Sequence, residues 1–420
     1  MAFAAYEVLT CRRSWCRRIV AWHWTEAKDL GPPSGKGVIM WDLVIVGAGP
    51  AGSSAAMAAL AQRPEAQVLM LDRAEIGRDK SCGDGIAPHA IDILRALGGP
   101  TAWAGHPEVA TLELANGDVD VVRQMNRPAL VVPRATFDAT LARAAINRGA
   151  QFRRCQVRTV ESRQGSVVLN GSIEARMVIA ADGVHSSVRR ATGTRQIARG
   201  KVAMALRGYA PTPSQRAGRQ VIRFGQTRQP SYAWSFDRGD GWANIGYGEV
   251  LHASRFREPL SKPMMIEQIE QMLPGSTRGG EQWLGHHLPL SAPYFAHPGG
   301  PILYAGDAAS LINPLTGEGI YYAVATGAIA GVCSVQARAS VTAAVAYRNT
   351  VRRLLEAHLV TTAALSRAVR IPGLLDIGLS AAAADAGAFD DLVEVGLGRG
   401  TVTGRLVAAL VRSRMPSRSS

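Results

Sequence analysis

The chain has little lysine. Of its 47 basic residues five are lysine and forty-two arginine, set against 33 acidic residues, for a formal net charge of +14 over 420 residues. The arginines are dispersed and sit in no nucleic-acid-binding motif, so nucleic acid is not an expected partner; anionic cofactors, anionic lipids or diphosphates suit the charge better. Cysteine is scarce as well. Cys11, Cys16, Cys82, Cys155 and Cys333 are odd in number and mostly far apart, which excludes a disulfide framework and a zinc site and makes a reducing cytoplasm the expected compartment. No run of 18 purely apolar residues occurs. The nearest, Ile320 to Val335, is interrupted by Thr326, Gly327, Gly331 and Ser334 and reads as a buried helix rather than a membrane span. A secretory leader is not expected either, because Arg12, Arg13, Arg17 and Arg18 break up the N-terminal stretch.

What is present is a globular composition, 47 % apolar and 19 % charged, in a chain long enough for two or three domains. Residues 1–39 mix Trp, Arg and Cys without period and read as a disordered extension, or as a basic arm for a membrane surface or partner. From Trp41 the pattern sharpens. An apolar strand (Trp41–Val46) meets Gly47, an alanine-rich helix runs from Pro50 to about Gln62, and a second strand (Gln67–Leu71) ends at Asp72. A helix is expected over Phe137–Asn147 and buried strands over Arg176–Ala181 and Pro301–Ala305. Between them, Gln220–Phe224, Tyr232–Phe236 and Trp242–Tyr247 alternate like strands, the last two joined by the turn Asp237–Gly241 as an antiparallel hairpin. From about 318 onward the chain reads as helical.

Gly47-x-Gly49-x-x-Gly52 sits between a strand and a helix. Gly47 permits the tight turn, Gly49 lets backbone approach a pyrophosphate, and Gly52 lets helix and strand touch, while the helix N-terminus offers free N–H groups to phosphate. Asp72, 20 residues past Gly52, is placed to accept hydrogen bonds from a ribose. Two later segments separate FAD from NAD as the resident cofactor. Ala180-Ala181-Asp182-Gly183 and Tyr304-Ala305-Gly306-Asp307 each follow a buried strand, and the second continues to Gly317-Glu318-Gly319-Ile320. Asp307 suits a ribityl hydroxyl. The helix opened by Gly317 and Gly319 suits the pyrimidine edge of a flavin, where negative charge grows on reduction. No second complete Gly-x-Gly-x-x-Gly is present, so NAD(P)H or another electron donor is expected to bind only transiently.

These motifs, in this order, resemble the class A flavoproteins of the para-hydroxybenzoate hydroxylase fold. Arg78-Asp79-Lys80-Ser81-Cys82-Gly83-Asp84-Gly85-Ile86 and Tyr232-x-Trp234-x-Phe236 narrow the resemblance, over roughly 41–345, to the geranylgeranyl reductase family. The resemblance implies an α/β architecture. A Rossmann-like FAD-binding domain would be formed from 40–198 and 297–345, an antiparallel-sheet substrate domain from 199–296 with part of 105–133, and C-terminal helices from 346–420. It places Gly47, Gly49, Ala51 and Gly52 at the FAD pyrophosphate and Asp72 at the ribose. Cys82, Gly83 and Gly85 fall along the isoalloxazine, Arg134 at the flavin or its phosphates, and backbone of Val157 at the adenine. Asp182 falls near both FAD and the passing nicotinamide. Asp307, Gly317, Gly319 and Ile320 fall at the ribityl and pyrimidine end. Tyr232, Trp234 and Phe236 correspond to that family's prenyl-binding motif, except that Asp237 stands where the motif has proline.

Several readings stay open at this level. Cys82 is a small buried residue or tunes the pocket, and no covalent role is assigned to it. The Tyr232, Trp234 and Phe236 face is either core or an aromatic wall for a prenyl chain. His286 and His287 read as surface or interface residues, and Glu318 as a residue that holds its loop. Val402 to Met415 is a basic amphipathic segment, either solvated or lying on the cytoplasmic membrane surface. The function implied is FAD-dependent reduction of C=C bonds in a hydrophobic prenyl or terpenoid substrate. The alternative is a flavin monooxygenase that epoxidises or hydroxylates such a substrate, since one fold serves both.

Overall fold

The computed structural model describes residues 40–414 except 101, 102, 104, 195–201, 227, 252–259, 294, 296, 298 and 338. The expected extension over 1–39, and Met415, lie outside the described residues. The first motif folds as β1 (Met40–Val46), α1 (Pro50–Gln62) and β2 (Val68–Asp72). Next come β3 (Gly85–Ile86), α2 (Pro88–Ala96), β4 (Glu108–Asn116) and β5 (Val119–Val131). Helix α3 (Arg134–Asn147) starts three residues earlier than expected, because Pro133 already holds the φ of −51° from which a helix can begin. Then follow β6 (Gln151–Arg154), β7 (Val160–Arg163), β8 (Ser166–Leu169), β9 (Ile173–Ala180) and α4 (Ser187–Ala191).

One sheet is parallel at its centre, in the order β6-β2-β1-β9. The C-terminal half of β9 also pairs with β15 (Ile302–Tyr304), and its N-terminal half carries the antiparallel β8–β7 ribbon. Helix α1 is buried from Pro50 to Leu60, as a helix apolar on all sides must be. Its cover is α6 (Ile320–Gln336), buried from Ile320 to Val335 as expected of that run. The two helices touch through backbone: a Cβ on Gly327 or Gly331 would stand 2.1 Å from the carbonyl oxygen of Ala51 or Ala55 respectively. This pairing makes the helices run the same way. It also sets the N-terminus of α6 about 10 Å ahead of that of α1, at 1.5 Å per residue.

The second sheet has eight strands, in the order β14-β10-β13-β12-β11-β4-β5-β3. Its remaining members are β10 (Val202–Pro211), β11 (Arg219–Phe224), β12 (Ser231–Asp237), β13 (Trp242–Val250) and β14 (Glu281–Pro289). It is not wholly antiparallel, since β11 and β4 pair in parallel. One face packs on α5 (Lys262–Met272) through Leu206, Val221, Ala233 and Tyr247. The other face carries three cross-strand rows: Leu112, Gln220, Phe236, Asn244 and Tyr209; then Leu114, Ile222, Trp234, Gly246 and Arg207; then Phe224, Tyr232, Gly248, Ala205 and His286.

Helix α7 (Ser340–Ala368) begins before the boundary expected at 345 and leads to α8 (Leu374–Ala384), α9 (Ala386–Leu397) and α10 (Gly404–Arg414). Leu379, Ala382 and Phe389 of α8 and α9 pack onto Leu112, Ile222 and Phe224, roofing the β4–β11 part of the rows. Among the described residues no helix is long and apolar enough to cross a membrane.

Candidate functional site

A continuous cavity of about 740 Å³ runs from the end of β1, under the second sheet, to the C-terminal helices. Its first stretch is a backbone cradle. Gly47 has φ +108°, and a Cβ there would lie 2.2 Å from the Ala181 carbonyl oxygen, so only glycine lets β1 turn beside β9. Gly49 opens onto the cavity, with nothing nearer its missing Cβ than Asp138 at 3.7 Å, and no side chain caps α1. Asp72 accepts the Ala48 N–H at 2.9 Å and the Ala74 N–H at 3.0 Å, which fixes the carboxylate at the cleft edge. Asp182 Oδ2 accepts from the Ser187 N–H at 2.7 Å and the Val188 N–H at 3.2 Å, while its buried Oδ1 has no partner. Gly47, Gly49, Ala51, Asp72, Val157 and Asp182 all line this stretch, whereas Gly52 packs behind it, its absent Cβ 1.8 Å from the Gly47 carbonyl oxygen. A glycine-only turn, an uncapped helix end, a ribose-ready carboxylate and an orphaned Asp182 oxygen in one cleft fit FAD.

The loop carrying Asp79 to Gly85 lies between the sheets and is pinned from both. Lys80 Nζ meets Asp307 Oδ2 at 3.2 Å. Burial pushes the Asp307 carboxyl up, but Lys80, and then His286, overcome it and hold the group below its ordinary value. Arg207, 1 % exposed, pairs with Asp79 and donates to the Gln282 carbonyl at 3.0 Å. Cys82 stands beside Arg134, which is itself clamped to Asp138 by two bonds of 2.7 Å. Burial raises the Cys82 thiol despite that cation, so it is no thiolate at neutral pH.

Next to this loop stands the aromatic face. Tyr232, Trp234 and Phe236 all line the cavity, with successive ring centroids 5.8 and 6.4 Å apart. The Trp234 indole lies on Gly246, whose Cβ would sit 2.1 Å from its ring. Phe236 and Trp234 come within 3.4 and 3.6 Å of the position a Cβ on Gly83 would take. Tyr232 donates to the Thr316 carbonyl, tying the wall to the loop that opens α6. Gly317, Gly319, Ile320 and Asp307 line that end. Glu318 caps α6 by accepting the Tyr321 N–H at 2.7 Å, and burial pushes its carboxyl up to about 7 against the pull of the Tyr321 and Ile320 N–H groups.

Four features correct or extend the sequence reading. Asp237, in the place of the family proline, faces away from the wall. It accepts from Thr212 at 2.9 Å and the Gly218 N–H at 2.6 Å, so the exchange sets a turn and puts no acid among the aromatic rings. His286 is not a surface residue: it lines the cavity near Lys80 and Asp307, and burial lowers it to about 4. The C-terminal amphipathic segment turns one side, Leu406 and Leu410, to the cavity wall and leaves Val407 and Val411 exposed on the other, with Arg405 paired to Asp391 at 2.6 Å and Arg412 to Asp385 at 3.0 Å. The fourth is a buried polar joint. Asn244 donates to Asp84 Oδ2 and to the Cys82 carbonyl, both at 2.8 Å, and accepts from the Trp234 indole N–H at 2.8 Å; Tyr209 donates to the same Asp84 oxygen at 2.6 Å.

Residues 40–225 match the FAD binding domain family. The chain is 31 % identical over 312 residues to the menaquinone reductase of Mycolicibacterium smegmatis, covering 69 % of this chain and 75 % of that protein. It is 33 % identical over 312 residues to digeranylgeranylglycerophospholipid reductase 1 of Methanopyrus kandleri, covering 71 % and 81 %. Among solved structures, a geranylgeranyl bacteriochlorophyll reductase-like protein of Thermoplasma acidophilum shares the fold. The TM-score is 0.69 at 24 % identity, over 90 % of this chain and 96 % of that one.

Asp84, fully buried with Oδ1 unpartnered, is pushed from 3.8 to about 6 by burial, against its bonds from Tyr209 and Asn244. The native state therefore keeps a proton that the unfolded chain has already released, and Asp84's contribution to stability falls as pH rises from about 4 to about 6. Asp84→Asn should gain stability relative to the parent chain across that window in urea unfolding. A difference that does not change with pH contradicts the assignment.

Proposed function

The chain belongs to the geranylgeranyl reductase family of FAD-dependent oxidoreductases, and from that premise we propose that it saturates C=C bonds of a prenyl chain laid along the aromatic wall. The observation that carries this reading is the continuity of the cavity. A polar nucleotide cradle passes without a break into a lobe walled by Tyr232, Trp234 and Phe236 and roofed by apolar residues of the C-terminal helices. FAD, bound and reduced, supplies a hydride to one carbon of the alkene. Gly47 to Gly52, Asp72 and Asp182 would hold its nucleotide half, and Lys80 with Asp307 and the N-terminus of α6 its ribityl and ring half.

The chain's own residues supply the rest. An isolated alkene accepts hydride poorly, so alignment and exclusion of water must carry much of the rate. The wall offers flat apolar contact to a methyl-branched chain, and Asn244 and Gly246 fix the plane of Trp234. The second alkene carbon needs a proton. Glu318 lines the cavity, and with its carboxyl at about 7 it holds a proton for about half the time at neutral pH, which suits a donor. The relatives' names, both reductases, favour reduction over oxygen transfer.

The reading is tested by incubating the reduced holoenzyme anaerobically with prenyl quinones and prenyl lipids. Product heavier by two hydrogens should form without air; product that appears only after air, carrying oxygen from the gas, assigns a monooxygenase instead. Glu318→Gln keeps an acceptor for the Tyr321 N–H and should retain flavin. Its rate should drop at least about tenfold and lose the fall that the parent enzyme shows as pH rises through about 7. A variant with the parent pH profile removes Glu318 from the proton path.

A further inference from the structure

Gln220 is out of place as a packing residue. It lies on β11 in the row with Leu112 and Phe236, is 4 % exposed, and lines the cavity. Its amide nitrogen stands 3.9 Å from the position of a Cβ on Gly85, beside the loop that also carries Cys82. The neighbouring cavity side chains on β4, β11 and β12 are Leu112, Leu114, Ile222, Trp234 and Phe236. No described residue forms a hydrogen bond with the Gln220 side chain. An amide of this kind is tolerated while solvent can reach it. Once a prenyl chain fills the lobe and displaces that solvent, an unpaired amide opposes binding, and one met by an oxygen favours it.

We propose that Gln220 recognises an oxygen function of the substrate, a carbonyl, hydroxyl or ether carried on or next to the prenyl chain, and so selects head-bearing prenyl compounds over bare hydrocarbon. The proposal rests on the prenyl reading above and adds to it the residue that meets the oxygen of the head group. The geometry asks for that oxygen near the Gly83–Gly85 loop, at the inner end of the wall, rather than at the far lobe lined by Leu379, Leu392 and Leu406. The oxygen therefore travels deep into the cavity with the chain. Because an amide both donates and accepts, a quinone carbonyl and a glycerol ether or hydroxyl share the required chemistry.

The test is equilibrium binding to the oxidised holoenzyme, followed by the change in the flavin absorption spectrum. The probes are a tetraprenyl naphthoquinone, a geranylgeranyl glycerol ether and the matching tetraprenyl hydrocarbon. The parent chain should bind at least one oxygen-bearing probe about tenfold more tightly than the hydrocarbon, and the stronger of the two identifies the source. Gln220→Met keeps the unbranched length, and Gln220→Leu is the second variant. Each should hold FAD with unchanged affinity and melt no lower than the parent, yet bind all three probes about equally. A flavin-loaded variant that keeps the preference overturns the proposal, as does one whose loss is in FAD affinity, which makes Gln220 a flavin contact. If the parent chain binds none of the three probes, the prenyl reading itself fails; equal binding of all three by the parent defeats only the role of Gln220.

Discussion

A single buried amide joins the two halves of this site. Asn244 is fully enclosed and uses both ends of its side chain, donating to Asp84 and the Cys82 carbonyl and accepting from the Trp234 indole. The loop that would face the flavin and the wall that would face the substrate are therefore not independent surfaces. Removing the amide takes their partner from the Trp234 indole N–H and the Cys82 carbonyl, each at about 1–3 kcal/mol, leaves Asp84 Oδ2 with Tyr209 alone, and frees Trp234 to tilt. Arg207, pairing with Asp79 one row away, reinforces the same attachment. On the proposed reading, the second sheet is the part that would set the distance between cofactor and substrate.

The first sheet does a different job. Contact between the α1 and α6 backbones at Gly327 and Gly331 offsets two helix N-termini along one cleft, about 10 Å apart by helical rise. An elongated dianionic cofactor bound along this cleft would meet one positive helix end at its phosphates and another at its ring. Lys80, paired with Asp307, adds the balancing cation between them. The cavity thus changes from polar and backbone-lined to apolar and side-chain-lined along its length, and on the proposed reading the chemistry would fall where the two characters meet.

Much of this was legible before folding. The strand, Gly47 to Gly52, the following helix and Asp72 are local, and local sequence sets local geometry. The alternation at Tyr232, Trp234 and Phe236 was enough to put three rings on one face, and by the same rule Asp237 belongs on the other. What stayed hidden depends on register between distant strands. Gln220, Asn244 and Tyr209 share a row with Phe236 only because β10 to β13 pair as they do. The hairpin turn at Asp237 to Gly241 did offer one clue: closing it sets Asn244 opposite Phe236. His286 reaches the cavity through a strand some 80 residues from the one it joins. The C-terminal helices gave only amphipathic patterns, and a pattern does not say which apolar surface it meets.

The claim that flavin loop and prenyl wall act as one unit is tested most directly by a double-mutant cycle. Asn244→Leu, Trp234→Phe and the double variant, each loaded with flavin and reduced, are mixed anaerobically with prenyl substrate, and the rate of flavin reoxidation is followed. If Asn244 works by holding the indole, the double variant reoxidises no more slowly than the slower single variant. If the two losses multiply, the residues act separately and the joint is not what aligns cofactor with substrate.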